Sequence, residues 1–110
     1  MDKQLLKEIN QLHADICSGL SDPNRIAILY ALVEKPASVM ELAETLDMPQ
    51  PTLSRHLKVL RDRGMVLAQR QGANIYYSLA DKRIIKALDL LREVLADHLS
   101  KRSALAEAIN

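Results

Sequence analysis

All four prolines and all three glycines of this 110-residue chain stand where one apolar periodicity stops or another begins. Proline cannot donate a backbone hydrogen bond, and glycine tolerates backbone angles that other residues avoid. This punctuation therefore sets the number and length of the elements before any propensity is weighed. Leu5, Ile9, Leu12, Ile16 and Leu20 form one helical stripe, predicting a helix from about residue 3 to 18 that stops near Gly19. Ser21-Asp22-Pro23 reads as a helix start, with Asp22 as cap and Pro23 in the first turn, where no N–H is needed. Ile26, Leu29, Tyr30 and Val33 then recur at helical spacing, and Lys35-Pro36 ends the helix.

The next two segments are short. Ser38-Val39-Met40-Glu41 matches a capping box. A helix with Val39, Leu42, Ala43 and Leu46 inward then stops near Asp47, ahead of Pro49 and Pro51. Segment 50–63 buries Leu53, Leu57 and Leu60, with Gly64 placed as the residue just past its end. Beyond it the period changes. Val66 to Arg70 and Ile75 to Leu79 read as strands joined through Gln71-Gly72-Ala73-Asn74, a hairpin. Asp81 can cap a last helix, over which Ile84, Leu88, Leu91, Leu95 and His98 recur at helical spacing, weakening toward Leu105. With no Phe or Trp, the core must be built from Leu, Ile, Val, Met and Ala, as in helical bundles.

Two short helices with a tight turn, then a hairpin, then a helix, is the order of a winged helix-turn-helix. The expected fold is mainly α with a β-hairpin, a single domain over 1–110. Its helix-turn-helix spans about 38–63, its wing about 65–79, and its outer helices about 3–18 and 82–107. Each outer helix carries an apolar stripe that so small a domain cannot cover, so the two are expected to pair with a second copy.

The net charge of +1 hides a segregation. Residues 1–49 carry −4, residues 50–76 carry +4, and residues 77–110 carry +1. Setting Leu53 inward and advancing 100° per residue turns Pro51, Arg55, Lys58 and Asp62 away from the core. Gln50, Ser54 and Arg61 fall on one flank, and Thr52, His56 and Arg63 on the other. An outward face of bases, amides and hydroxyls suits phosphates and base edges of double-stranded DNA. Gln50, Thr52, Ser54, Arg55 and His56 are expected to face the major groove, and Lys58, Arg61 and Arg63 to hold phosphates. Arg70, with Gln71 and Asn74 at the hairpin tip, is expected to reach a neighbouring minor groove, where arginine is favoured.

These pieces resemble one family. Ser21-Asp22-Pro23-Asn24-Arg25-Ile26-Ala27-Ile28-Leu29, Pro51-Thr52-Leu53-Ser54-Arg55-His56-Leu57-Lys58-Val59-Leu60-Arg61, and Gly72 through Tyr76-Tyr77-Ser78-Leu79 are similar to the second helix, recognition helix and wing of the ArsR/SmtB bacterial repressors. The likeness covers about residues 14–80. It implies a homodimeric repressor that leaves a dyad-symmetric operator when an inducer binds, or acts without one. One departure is Pro49, which stands where the family usually has a capping serine.

The resemblance also frames the inducer. The arsenite and cadmium type uses two cysteines on the first helix of the helix-turn-helix, but Ser38 to Glu44 contains none. The zinc type uses carboxylate and histidine ligands on the last helix. Asp81 matches the first, whereas Arg83 and Val94 replace expected histidines and Asp97 takes the last position. Sulfur and redox sensors pair two cysteines, and Cys17 is the only one here. Cys17 with His13, four residues apart, and Asp97 with His98 are the remaining sensor candidates. Two ligands per chain do not make a metal site, so neither metal nor cofactor is expected, and Cys17 is read as a small residue packed in the interface of the first helix.

Other classes fit less well. No nucleophile and base share a supporting spacing, so an enzyme is not expected. A helical adaptor leaves the basic segment without a role. A MarR-like winged-helix regulator sensing a small organic ligand is the alternative, but such chains have longer outer helices and aromatic-lined pockets, and only three aromatics occur here. No apolar run is long enough for a membrane helix. No charged segment followed by an apolar one opens the chain, so the cytoplasm is the expected location.

Overall fold

The computed structural model describes residues 1–109. Helix α1 (Lys3–Leu12) continues through one wide π-helical turn, His13–Cys17. Then follow α2 (Pro23–Ala31), β1 (Ala37–Ser38), α3 (Val39–Leu46), α4 (Gln50–Asp62), β2 (Val66–Gln71), β3 (Asn74–Leu79) and α5 (Arg83–Ile109). The helix boundaries follow the caps. Asp22 accepts from the Asn24 N–H with Pro23 in the first turn. Ser38 and Glu41 close a reciprocal capping box, and Asp81 accepts from the Arg83 N–H at 2.9 Å. Helix α4 ends in a Schellman motif: Gly64 has φ +73°, its N–H reaches the Arg61 carbonyl, and the Met65 N–H reaches the Leu60 carbonyl.

The buried core is aliphatic, formed by Ile28, Leu29 and Leu32 of the α2 region, Leu42 of α3, Leu53, Leu57 and Leu60 of α4, then Met65, Val66, Ile85 and Leu88. It lies between the α2–α4 cluster, the sheet and the start of α5. Helix α1 has no buried residue. Leu5, Leu6, Ile9 and Leu12 of α1, and Leu91, Val94, Leu95 and Leu99 of α5, are between 43% and 62% exposed. With α5 at 27 residues, or ~40 Å, these two stripes project from the core unpartnered.

The structure corrects two expectations and settles which face of α2 is inward. The hairpin belongs to a three-stranded antiparallel sheet in the order β1-β3-β2, in which Ala37 opposes Tyr77 and Ser38 opposes Tyr76. A two-residue strand has no readable alternation, so β1 left no signal. The inward face of α2 is centred on Ile28, Leu29 and Leu32, with Ile26 and Tyr30 half-buried and Val33 exposed. Residues 26–33 are apolar on every side, so their period could not single out one face. The strands also reach one residue further at the hairpin end, to Gln71 and Asn74, leaving a two-residue turn.

Candidate nucleic-acid interface

Burial of Leu53, Leu57 and Leu60 fixes the roll of α4. Gln50, Ser54, Arg55, Lys58 and Arg61 are exposed on its outer side, and Thr52 is half-buried. Arg55 makes only a 3.3 Å contact to the Thr52 hydroxyl, so its guanidinium is free to leave. Lys58 pairs with Asp62 at 3.1 Å, with both side chains mostly exposed. Asp62 is the one acid on this face. Pro49 supplies no side-chain cap to the start of α4, leaving the positive end of the helix dipole open toward whatever lies against it.

The hairpin projects beside this helix. Gly72, at φ +63°, takes the first position of the turn, and Ala73 keeps negative φ, the combination of a type II′ hairpin turn. Arg70 opposes Ile75, and Gln71 opposes Asn74, all of them exposed. A cleft of about 540 Å³ lies between the wing and the start of α3, lined among others by Met40, Glu41, Asn74, Ile75 and Tyr76, with Gln50 the one residue of α4 on its wall. Met40 on its rim is 69% exposed. It is an apolar group outside the inward set of Val39, Leu42, Ala43 and Leu46 on α3.

Two residues expected on this face turn away from it. His56 is directed toward the start of α2, with Nδ1 3.3 Å from an Arg25 guanidinium nitrogen and Nε2 3.9 Å from the Asp22 carboxylate. Arg63 donates to the Ala14 carbonyl and to the Ser18 hydroxyl, both on the first helix. Thr52, His56 and Arg63 occupy one flank of the α4 wheel, and that flank faces protein at His56 and Arg63. Their partners lie 31 to 49 residues away in sequence, which hid the contact from a single-helix projection.

The sensor candidates do not converge. His13 and Cys17 are both exposed on the π turn, so Cys17 is not packed within its own protomer. Asp97 and His98 are exposed on α5. Among the described residues no three His, Cys, Asp or Glu side chains lie close enough to hold a metal. The carboxylate matching the family's first zinc ligand is engaged: Asp81 accepts from Arg83 Nε at 3.1 Å and from a terminal nitrogen at 2.7 Å. Those side-chain bonds, followed by the Arg83 N–H, lower the Asp81 carboxyl to about 2. With a guanidinium where an imidazole belongs, this residue set does not fit the zinc pattern. No described helix is long and apolar enough to cross a membrane.

Comparison with known proteins agrees with this geometry. Residues 22–67 match the family model described as bacterial regulatory protein, arsR family. The transcriptional repressor SmtB homolog of Synechocystis is 37% identical over 91 residues, covering 83% of this chain and 66% of that one. The crystal structure of Mycobacterium tuberculosis Rv0081 superimposes with a TM-score of 0.76 at 40% identity, covering 86% of this chain and 95% of that one. The solution structure of Mb0332 from Mycobacterium bovis, described as a homodimeric winged helix-turn-helix DNA-binding domain, gives 0.75 at 26% identity, covering 90% and 91%. The chain spans only 58% to 66% of the length of the SmtB-type relatives. These likenesses are to DNA-binding regulators rather than enzymes, and the MarR-like alternative is not favoured.

Proposed function

The chain belongs to the ArsR family of bacterial regulators, and from that premise we propose that it is a homodimeric repressor binding double-stranded operator DNA. The observation that carries the reading is the two-sided character of α4. Three fully buried leucines hold it in the core, while Gln50, Ser54, Arg55, Lys58 and Arg61 stand exposed opposite them, beside the wing. Gln50, Thr52, Ser54 and Arg55 read base edges. Lys58 and Arg61 hold phosphates, and Arg70, with Gln71 and Asn74, acts from the wing. The residues of the whole chain work as one winged helix-turn-helix unit in the cytoplasm, where the chromosome lies.

The unpartnered stripes of α1 and α5 supply the dimer contact. A two-fold through them presents two recognition helices to half-sites ~34–36 Å apart, so the operator is dyad-symmetric. The test is a binding titration against a duplex selected from a random pool by the protein itself, repeated across salt concentrations. If about eight phosphates are neutralised, log K falls with log salt at a slope near −7. A slope near zero overturns the reading. Sedimentation of the free protein reports the dimer. Repeating the titration with Zn(II), As(III), sulfide donors and oxidant, with mass spectrometry of Cys17, asks which inducer acts.

A further inference from the structure

We infer that Arg25 and Arg63 are positioning residues that strut the recognition helix α4 against the end of the first helix, and so fix its roll and tilt for base readout. The inference rests on the DNA reading above and adds to it a device that sets where α4 points.

The end of the first helix leaves carbonyls without intrahelical partners. Arg25 meets two of them, donating from Nε to the Gly19 carbonyl at 2.7 Å and from a terminal nitrogen to the Ser18 carbonyl at 3.2 Å. Its other terminal nitrogen lies 3.3 Å from His56 Nδ1. One planar guanidinium therefore touches the first helix and α4 at once, a geometry that a lysine ammonium cannot reproduce. Asp22 stands 4.0 Å from Arg25 and 3.9 Å from His56, adding a carboxylate to the same cluster. At the far end of α4, Arg63 donates to the Ala14 carbonyl and the Ser18 hydroxyl. Gly19 shows how close the approach is: a Cβ there would lie 2.5 Å from the Met65 methyl.

The two attachments on α4, His56 and Arg63, are seven residues apart, or ~10 Å along the axis. One attachment would let the helix pivot about it, whereas two on the same flank restrain both roll and tilt. The restraint matters because side-chain tips lie ~5–6 Å from a helix axis. A roll of about 20° then moves them by roughly 2 Å, more than a base-edge hydrogen bond tolerates. The anchor at the other end is the helix bearing the exposed stripe of Leu5, Ile9 and Leu12. The same contacts thus relate α4 to the surface through which the dimer forms.

Neither arginine is then a phosphate contact, and this separates the strut from a plain basic patch. The experiment compares wild-type protein with Arg25→Lys, Arg63→Ala and, as an exposed control, Arg61→Ala on the selected duplex. The spacing between half-sites is varied by one base pair, and salt is titrated. Sedimentation and thermal melts confirm folded dimers. Arg25→Lys is expected to lose about tenfold in operator affinity, comparable to one base contact. It should also blunt the preference for the native spacing, with non-specific binding unchanged. Arg63→Ala is expected to lose operator affinity while keeping the wild-type salt slope, whereas Arg61→Ala flattens the slope by roughly 1.8, two phosphates per dimer. Arg63→Ala carries the test if Arg25→Lys does not fold. The strut is overturned if Arg25→Lys binds and discriminates spacing as wild type does, or if Arg63→Ala flattens the slope as Arg61→Ala does. Wild-type protein that binds no operator overturns the DNA reading, and the strut with it.

Discussion

Tyr30 of α2 donates a 2.6 Å hydrogen bond to the Asp89 carboxylate of α5, across 59 positions of sequence. Arg92, one turn further along α5, lies 5.2 Å from the centroid of the same ring and 3.4 Å from Asp89. A phenol, a carboxylate and a guanidinium therefore fasten the long helix to the core, close to where its side chains become exposed.

Replacing Tyr30 with Phe keeps the ring under Arg92 but removes the hydrogen bond. The expected cost is about 1 kcal/mol, since the carboxylate left behind is half exposed and regains water. Burial, then the bond to Asp89, raises the Tyr30 hydroxyl above its ordinary value of 10.0. The contribution of such a group is fully present below the unfolded value and is lost as pH climbs through the folded one. Urea midpoints of the wild type should therefore decline above pH 10 by a component that Tyr30→Phe lacks. Identical alkaline profiles for the two proteins would count against the bond.

Asp81 gives the opposite sign. Its carboxyl is lowered to about 2, chiefly by the side-chain bonds from Arg83. The contribution to stability is present above the unfolded carboxylate value and is lost as pH falls toward 2. A carbon-detected NMR titration should place the Asp81 midpoint near 2, and Arg83→Ala should return it toward 3.8. Because the guanidinium already occupies this carboxylate, Zn(II) added to the operator complex is expected to leave binding unchanged. Release by zinc in the wild type would require a different ligand set.

The caps and the α4 wheel were legible because they depend on neighbours in sequence. Asp22-Pro23, the Ser38/Glu41 box and Gly64 each satisfy or avoid backbone groups within four residues, and Leu53, Leu57 and Leu60 repeat with the helix. What escaped depends on distant partners or leaves no pattern. His56 and Arg63 look outward on an isolated helix and turn inward only because Arg25, Ala14 and Ser18 stand beside α4. The π turn at His13–Cys17 contains no glycine or proline to mark it. The strand β1 is two residues long. Met40 was visible as an apolar residue on a polar side, but only the wing packed across from it made a cleft.

Gly64 offers a backbone test of how α4 ends. Its φ of +73° is left-handed, and no heavy atom lies within 4 Å of where a Cβ would sit. Gly64→Ala therefore meets no clash, and its cost is conformational, ~1–2 kcal/mol. Thermal melts should show that loss, with far-UV dichroism unchanged at low temperature. Asn, which enters this region more readily than Ala, should recover part of it. Equal stability of the Ala and Gly proteins would contradict the assigned turn.

On the outer face, Arg55 and Asp62 should behave as opposites. Arg55 is exposed and weakly held by Thr52, so it can turn to a guanine edge. Arg55→Ala should cost ~1–3 kcal/mol on the selected duplex and relax the preference at one base pair of each half-site. Asp62 stands 3.1 Å from the Lys58 ammonium and places a negative charge on the surface proposed to meet phosphates. Asp62→Asn removes that repulsion and frees Lys58. Affinity should therefore rise on every duplex alike, and most at low salt, where screening is weakest. A salt series on specific and random duplexes reads both effects. Losses from Arg55→Ala that are equal on the two duplexes would make Arg55 a phosphate contact. Affinity unchanged by Asp62→Asn at low salt would mean that this end of α4 stands clear of the DNA backbone.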